Sequence, residues 1–567
     1  MGDAGAADKL YDLIVIGAGW YGLGAAKPYI ELHPTERILV LEAESSCGGT
    51  WSKDRLYPGL KSNNLWGSYE FPDFPMLEEV YGISEGQHIP AATLHRYLTD
   101  FAKKFGIFER TRFQTRVDAV EATANDEWLL HISSSTTSSA SSETLQTKKL
   151  IVATGLTSQP NMPSYPGEET FKAPFFHAKD FCARADILKT SKRAMVVGAG
   201  KSAFDVAYAF ATDGNAQVDL IIRPAGQGPV WICPPYVTPL KRKMEELLAT
   251  RAMTFMSPCP WQGEDGFSVA HSFLQKTAMG RWIVNNFWNQ ISSEVIETHG
   301  YNDDQELFKL KPWYSAMWTG SGVGIHNYPT NFFDLVKEGR IRVHIADITR
   351  LEDTKVHLSS GEQIETDVLI CATGWKKTSE NLKFINFNGG LPYPAEEIRR
   401  LSKDADKQVH EMCPILKDQP VLRFQSKPEE PLRNYRFIVP STAVFKNNIA
   451  YAGMVSTVVT SIFSSVQGLW ISAYLDGKLK RAPKTENEVT KEIMLHTQFG
   501  KWRYPCGYGA SLPDFAFDSL PYVDLLVNDL GLKNHRKSSP ILELLEAYKP
   551  KDYKGLVEEW VELYGKK

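Results

Sequence analysis

Two glycine-rich turns, Gly17-Ala18-Gly19-Trp20-Tyr21-Gly22 and Gly198-Ala199-Gly200-Lys201-Ser202-Ala203, constrain this chain more than any other feature. Each follows an apolar run, Leu13-Ile14-Val15-Ile16 or Met195-Val196-Val197, and opens a helix-like stretch. That strand–turn–helix context predicts a dinucleotide-binding unit at each turn. The first two glycines let the backbone turn tightly and approach a pyrophosphate. The third small residue lets helix and strand pack, and the helix N-terminus presents free N–H groups to the anion. One such unit fits any dehydrogenase. Two predict an α/β fold with two Rossmann-like domains, a three-layer ββα/αβα architecture in which electrons pass between two bound nucleotides.

The second strand of each unit distinguishes the nucleotides. Arg37-Ile38-Leu39-Val40-Leu41-Glu42 ends in an acid 20 residues beyond Gly22. A carboxylate there accepts hydrogen bonds from a ribose diol and repels a 2′-phosphate. Val218-Asp219-Leu220-Ile221-Ile222-Arg223 ends instead in a guanidinium, which matches a 2′-phosphate in charge and geometry and favours NADPH over NADH. Gly200-Lys201-Ser202 has a P-loop flavour, but Met195 stands where that motif needs its first glycine, so an ATPase reading fails.

The 567 residues suffice for two or three domains with full cores. A net charge of −4 gives no basic field for nucleic acid or an anionic membrane. Seven scattered cysteines without a C-x-x-C pair fit a reducing compartment, with neither a disulfide framework nor a metal site. The N-terminal residues lack the pattern of a secretory or transit peptide. Asn447 to Leu475 contains no charged residue, but its Gly, Ser, Thr, Asn and Gln content is unlike a membrane span. It reads as a buried segment against a cofactor, with Gln467 as a contact. The chain reads as a soluble, cytoplasmic protein without an integral membrane segment.

A helix is expected near 91–106, strands near 113–122, 127–133 and 149–153, and a mobile surface loop over the Ser/Thr-rich tract 133–147. Two strand-to-turn elements, Leu150-Ile151-Val152-Ala153-Thr154-Gly155 and Leu369-Ile370-Cys371-Ala372-Thr373-Gly374-Trp375, read as crossings between the nucleotide domains. The expected division is 10–170 with 430–500 for one domain, 171–224 with 331–429 for the other, a helical insertion at 225–330 and a C-terminal extension at 501–567. The insertion holds six of the 14 Trp residues and is either a substrate-pocket wall or a packing cap.

These residues resemble the flavin-containing monooxygenases, the class B flavoprotein monooxygenases that include the Baeyer–Villiger enzymes. The first turn with Glu42 is similar to the family's FAD site, and Gly48-Gly49-Thr50-Trp51 to its Gly-Gly-Thr-Trp element. The second turn with Arg223 is similar to its NADPH site, and the two Ala-Thr-Gly elements to its crossings. The resemblance therefore implies FAD and NADPH contacts at Gly17, Gly19, Gly22, Glu42, Gly49, Thr50, Trp51, Thr154, Gly155, Gly198, Gly200, Lys201, Ser202, Arg223, Thr373 and Gly374. Phe171 and His177 match the family's identifying sequence, while Ala173 and Phe181 depart from it; His177 is expected to act as a hinge or linker rather than in proton transfer. The aromatic insertion looks most like fungal members that tailor secondary metabolites.

The resemblance also implies a mechanism: NADPH reduces the flavin, which captures O2 as a C4a-(hydro)peroxide and passes one oxygen atom to a small-molecule substrate. Tyr57-Pro58-Gly59-Leu60-Lys61-Ser62-Asn63 places Asn63 where Baeyer–Villiger members resemble one another in an Asp. A neutral amide suits an electrophilic hydroperoxide and implies N- or S-oxidation or hydroxylation, with Asn63 as the catalytic residue. Ring insertion beside a ketone is the alternative. An NADPH oxidase, a disulfide reductase or a non-catalytic flavoprotein are remoter readings; Cys47 has no cysteine near it to form a redox pair.

Overall fold

The computed structural model describes residues 10–134, 143–237, 242–377, 382–424 and 431–564. The apolar runs that precede the glycine turns become central strands of two sheets. Leu13, Ile14 and Val15 in one, and Met195 and Val196 in the other, are fully buried, as parallel strands covered on both faces require. In the first sheet Leu10–Ile16 pairs in parallel with Ile38–Leu41 and with Glu143–Val152, to which Ile449–Tyr451 also pairs. The register sets Ile16 opposite Leu41 and Val152, and Val152 opposite Tyr451. Four strands thus end at one level, the edge at which such sheets bind ligands. An antiparallel meander, Thr115–Ala122 and Trp128–Ser134, continues from Glu143–Val152.

The second sheet runs Ile341–Ile345, Gln217–Ile222, Arg193–Val197, Val368–Cys371, Phe175–His177, all parallel. The fold is therefore α/β with two Rossmann-like units, as the paired turns predict. The uncharged stretch supplies Ile449–Tyr451 and the buried helix Thr460–Leu475. That helix crosses the first fingerprint helix, Trp20–Leu32, backbone against backbone: a Cβ at Gly468 would lie 2.0 Å from the Gly24 carbonyl oxygen. Among the described residues no helix is long and apolar enough to cross a membrane.

Three expectations change. Residues 143–147 of the Ser/Thr-rich tract are strand, because Leu145 and Thr147 turn into the core; 135–142 lie outside the described residues. The chain re-enters the first sheet well before 430: Lys383–Ile385 pairs with Thr115–Ala122, and Phe384 and Phe387 pack on Trp128 with ring centroids 6.4 and 5.0 Å away. The insertion and the C-terminal extension are not separate bodies either. Trp231, Trp288 and Trp318 share one core with Val409, Ile415, Phe499, Tyr504 and Phe517. The buried Arg251 of the insertion pairs with Asp524 at 2.5 Å and with Glu543, both from the extension.

Candidate active site

The two fingerprints make the same cradle. Gly17 has φ +105°, and a Cβ there would lie 2.4 Å from the carbonyl oxygen of Ala153; Gly198 has φ +147°, and a Cβ there would lie 2.4 Å from that of Ala372. Each Ala-Thr-Gly crossing is pressed against the glycine turn of its own sheet, so only glycine fits. Gly155 and Gly374, with φ +71° and +82°, then turn the chain out of the sheets into open space. Both fingerprint helices, Trp20–Leu32 and Lys201–Thr212, begin after a glycine, Gly19 or Gly200, with no side-chain cap. Their first N–H groups are left for an anion.

Around the first cradle, Gly49 approaches Gly19 so closely that a Cβ on it would stand 3.2 Å from the Gly19 Cα. Thr50 Oγ1 lies 2.9 Å from Thr157 Oγ1, beyond the Thr154-Gly155 crossing, and Trp51 Nε1 donates to the Tyr69 hydroxyl at 3.2 Å. Gly22 packs against the carbonyl of Gly17, which excludes any side chain. Glu42 is buried and accepts the N–H groups of Ala18 at 2.7 Å and Glu44 at 2.9 Å. Burial pushes its carboxyl above the ordinary range, and the backbone donors pull it back. Gly17, Gly19, Gly22, Glu42, Gly49, Thr50 and Thr154 are thus brought to one sheet edge.

In the second cradle Arg223, just past Gln217–Ile222, is exposed and among the described residues makes neither hydrogen bond nor ion pair. Ser202 is likewise exposed at the helix start. Lys201 is more committed: its ammonium pairs with Asp205 and donates to Asn327 Oδ1 at 2.8 Å. Thr373 Oγ1 donates to the Asn161 carbonyl at 2.7 Å, and Lys376 N to the Gln159 carbonyl at 3.0 Å, so the two crossings run side by side. His177 joins them. Its Nδ1 accepts the Lys179 N–H at 3.1 Å, which leaves Nε2 to donate to the Gly374 carbonyl at 3.0 Å. Burial lowers its pKa and favours this neutral, linking form.

Asn63 lies in the short strand Lys61–Leu65, exposed, its amide without a hydrogen-bond partner among the described residues. Next to it, the Ser62 carbonyl accepts Asn327 Nδ2 at 3.1 Å, so Asn327 joins this strand to Lys201 of the second fingerprint. Gln467 differs from expectation. It is buried, its Oε1 accepts the Gly453 N–H at 3.1 Å and its Nε2 donates to the Tyr522 hydroxyl at 3.1 Å, which uses the amide to fix a loop and a helix rather than a ligand.

The pyridine nucleotide-disulphide oxidoreductase family matches residues 14–256, the first unit and the start of the second. An FAD-dependent monooxygenase of Aspergillus nomiae, rstn6, is 34% identical over 98% of this chain and 99% of its own. One from Pyrenophora dematioidea is 35% identical over 94% of this chain and 100% of its own. The chain belongs to the FAD-dependent monooxygenases. Among solved structures, the polycyclic ketone monooxygenase of Thermothelomyces thermophila superposes with a TM-score of 0.60 at 15% identity, covering 92% of this chain and 88% of its own. The S-allyl-L-cysteine S-oxygenase of Allium sativum does so with 0.53 at 15% identity, covering 98% and 94%. At such identities the likeness is one of fold.

In this FAD-dependent monooxygenase all seven cysteines are free, and Cys47 is buried with its thiol pushed up to about 12, so the disulphide-oxidoreductase match reflects the scaffold. Sequence reasoning missed two residues that hold the site together, Asn327 and Glu245. Glu245, in the insertion helix Met244–Leu248, accepts three donors from the segment around Asn63. A single Asn, and one Glu of the Glu245-Glu246 pair, carry no local signal in an aromatic-rich stretch.

Proposed function

We propose that this protein is an NADPH- and O2-dependent monooxygenase that transfers one oxygen atom to a nitrogen or sulfur atom of a small organic substrate. NADPH, H+, O2 and substrate become NADP+, water and oxygenated substrate. FAD, when bound, supplies the two-electron relay from the nicotinamide and the reaction with O2. Gly17, Gly19, Gly22, Gly49, Thr50, Trp51, Thr154 and Gly155 are the residues for its pyrophosphate and adjoining groups, with Glu42 for the ribose. The glycine cradle that no side chain can enter and the uncapped helix start support this fit. Gly198, Gly200, Ser202, Thr373 and Gly374 are proposed for NADPH, with the exposed Arg223 on its 2′-phosphate. Lys201 is proposed to act from the edge of that site, since Asp205 and Asn327 already hold its ammonium.

The observation that carries heteroatom oxidation is Asn63: a neutral amide, exposed and without a hydrogen bond among the described residues, on a strand tied to the second cradle through Asn327. Its N–H groups can donate to developing charge without adding a negative charge of their own, which a carboxylate there would do. The test is turnover of FAD-loaded protein with NADPH and O2 on amines, thioethers and ketones, followed by mass spectrometry. Gain of one oxygen on amines or thioethers supports the reading. Gain on ketones alone replaces it with ring insertion, and no substrate-dependent consumption of NADPH and O2 refutes both.

A further inference from the structure

The strand that carries Asn63 has almost no ladder of its own. Its pairing with His88–Pro90 consists of Lys61 opposite Pro90 and Leu65 opposite His88, with an irregular register between, so Asn63 has no partner across the ladder. Yet its neighbours are all tied down. Ser62 Oγ accepts the Ile89 N–H at 3.0 Å, and the Ser62 carbonyl accepts Asn327. On the other side Asn64 Nδ2 donates to Glu245 Oε2 at 2.8 Å and to the Val458 carbonyl at 3.3 Å. Glu245 Oε1 takes the Leu65 N–H at 3.0 Å and the Ser68 hydroxyl at 2.6 Å. One acceptor-only carboxylate from the insertion therefore gathers three donors, from a side-chain amide, a backbone N–H and a hydroxyl, within five residues of Asn63.

We propose that Glu245 is a positioning residue for oxygen transfer: it sets the backbone that presents the Asn63 amide, and makes the insertion part of the active site. This rests on the reading of Asn63 given above. A glutamine cannot replace the carboxylate neutrally. Its Nε2 would face either the Asn64 amide or the Leu65 and Ser68 donors, and Asn64 could accommodate it only by turning its own amide and losing Val458. With its oxygen on Leu65 and Ser68 two of the three hydrogen bonds survive, and with its oxygen on Asn64 only one, so the strand loosens without losing its anchor altogether.

The experiment is a double-mutant cycle of Asn63→Ala and Glu245→Gln on the FAD-loaded full chain, reading flavin content, NADPH-driven flavin reduction, product per NADPH and hydrogen peroxide. Glu245→Gln is expected to keep flavin content and reduction rate within about twofold while product per NADPH falls about tenfold and peroxide rises. Glu245→Ala should fall further, and Ser68→Ala less. Added to Asn63→Ala, Glu245→Gln should cost little more, because a positioning residue has nothing left to position. Additive losses, unchanged coupling in Glu245→Gln, or a loss of flavin equal to the loss of product would overturn the assignment. If Asn63→Ala alone leaves coupling intact, the failure lies with the reading of Asn63. If Asn63→Ala uncouples and Glu245→Gln does not, the failure is that of Glu245 alone.

Discussion

Replacing Arg223 by alanine isolates nucleotide choice from stability. The guanidinium is exposed and among the described residues forms no hydrogen bond or ion pair, so its removal costs the fold little. Its position just beyond Ile222 matters, because Ile221 pairs with Val197 and Arg223 therefore emerges beside the Gly198 turn. A charge-assisted hydrogen bond to a phosphate is worth about 1.5–3 kcal/mol, and exposure pulls the value toward the lower end. At about 1.4 kcal/mol per decade, NADPH binding should weaken roughly ten- to thirtyfold. NADH binding, which has no 2′-phosphate to lose, should change less than about twofold. Arg223→Lys should recover part of the loss, since it keeps the charge without the fork. The assay is anaerobic stopped-flow reduction of the bound flavin over a range of each nucleotide, with thermal unfolding alongside. Equal weakening for both nucleotides, or a fall in Tm that accompanies it, would refute the assignment.

Four further outcomes are expected. Gly17→Ala puts a methyl group 2.4 Å from the Ala153 carbonyl oxygen and should abolish FAD retention, whereas Gly155→Ala meets open space at φ +71° and should cost only the roughly 1–2 kcal/mol of left-handed backbone; flavin absorbance of the purified variants decides between them. Gly198→Ala should keep the flavin and lose rapid reduction by NADPH. Asn63→Asp adds a carboxylate beside the proposed reaction site and should divert electrons to hydrogen peroxide, measured as peroxide formed per NADPH. Asp518 is fully buried, and burial lifts its carboxyl to about 7 from 3.8. The folded state then holds the proton more tightly than the unfolded state, so stability falls as pH rises from about 4 to about 7 and the full penalty, about 4 kcal/mol, is present above that range. Asp518→Asn should therefore gain Tm over the parent progressively between pH 4 and 8; a pH-independent difference would rule this out.

The glycine turns, the crossings and the edge at which the strands end were legible because each is a local demand on the backbone. Gly17 and Gly198 stand where a carbonyl leaves no room for Cβ, and glycine is the one residue that can answer. What escaped reading is tertiary. Lys383–Ile385 is a three-residue edge strand, too short for periodicity to register, and only its packing on Trp128 reveals its sheet. Arg251 with Asp524 and Glu543 joins groups more than 270 positions apart, and nothing local in the sequence links them. Gln467 misled for a different reason. A polar residue in an uncharged apolar helix must satisfy its amide somewhere, and a protein partner does so as well as a ligand.

The side-by-side crossings carry a mechanical consequence. Pro160 and Trp375 form an isolated bridge between them, and Arg55, just after the Gly-Gly-Thr-Trp element, stacks its guanidinium 4.9 Å from the Trp375 ring. Two chains fastened edge to edge behave as a flat strap: stiff against twisting and against shear along its length, soft only to bending across its face. Any rotation of the second sheet relative to the first must bend this strap, and must also strain the separate tie that Asn327 makes to Ser62.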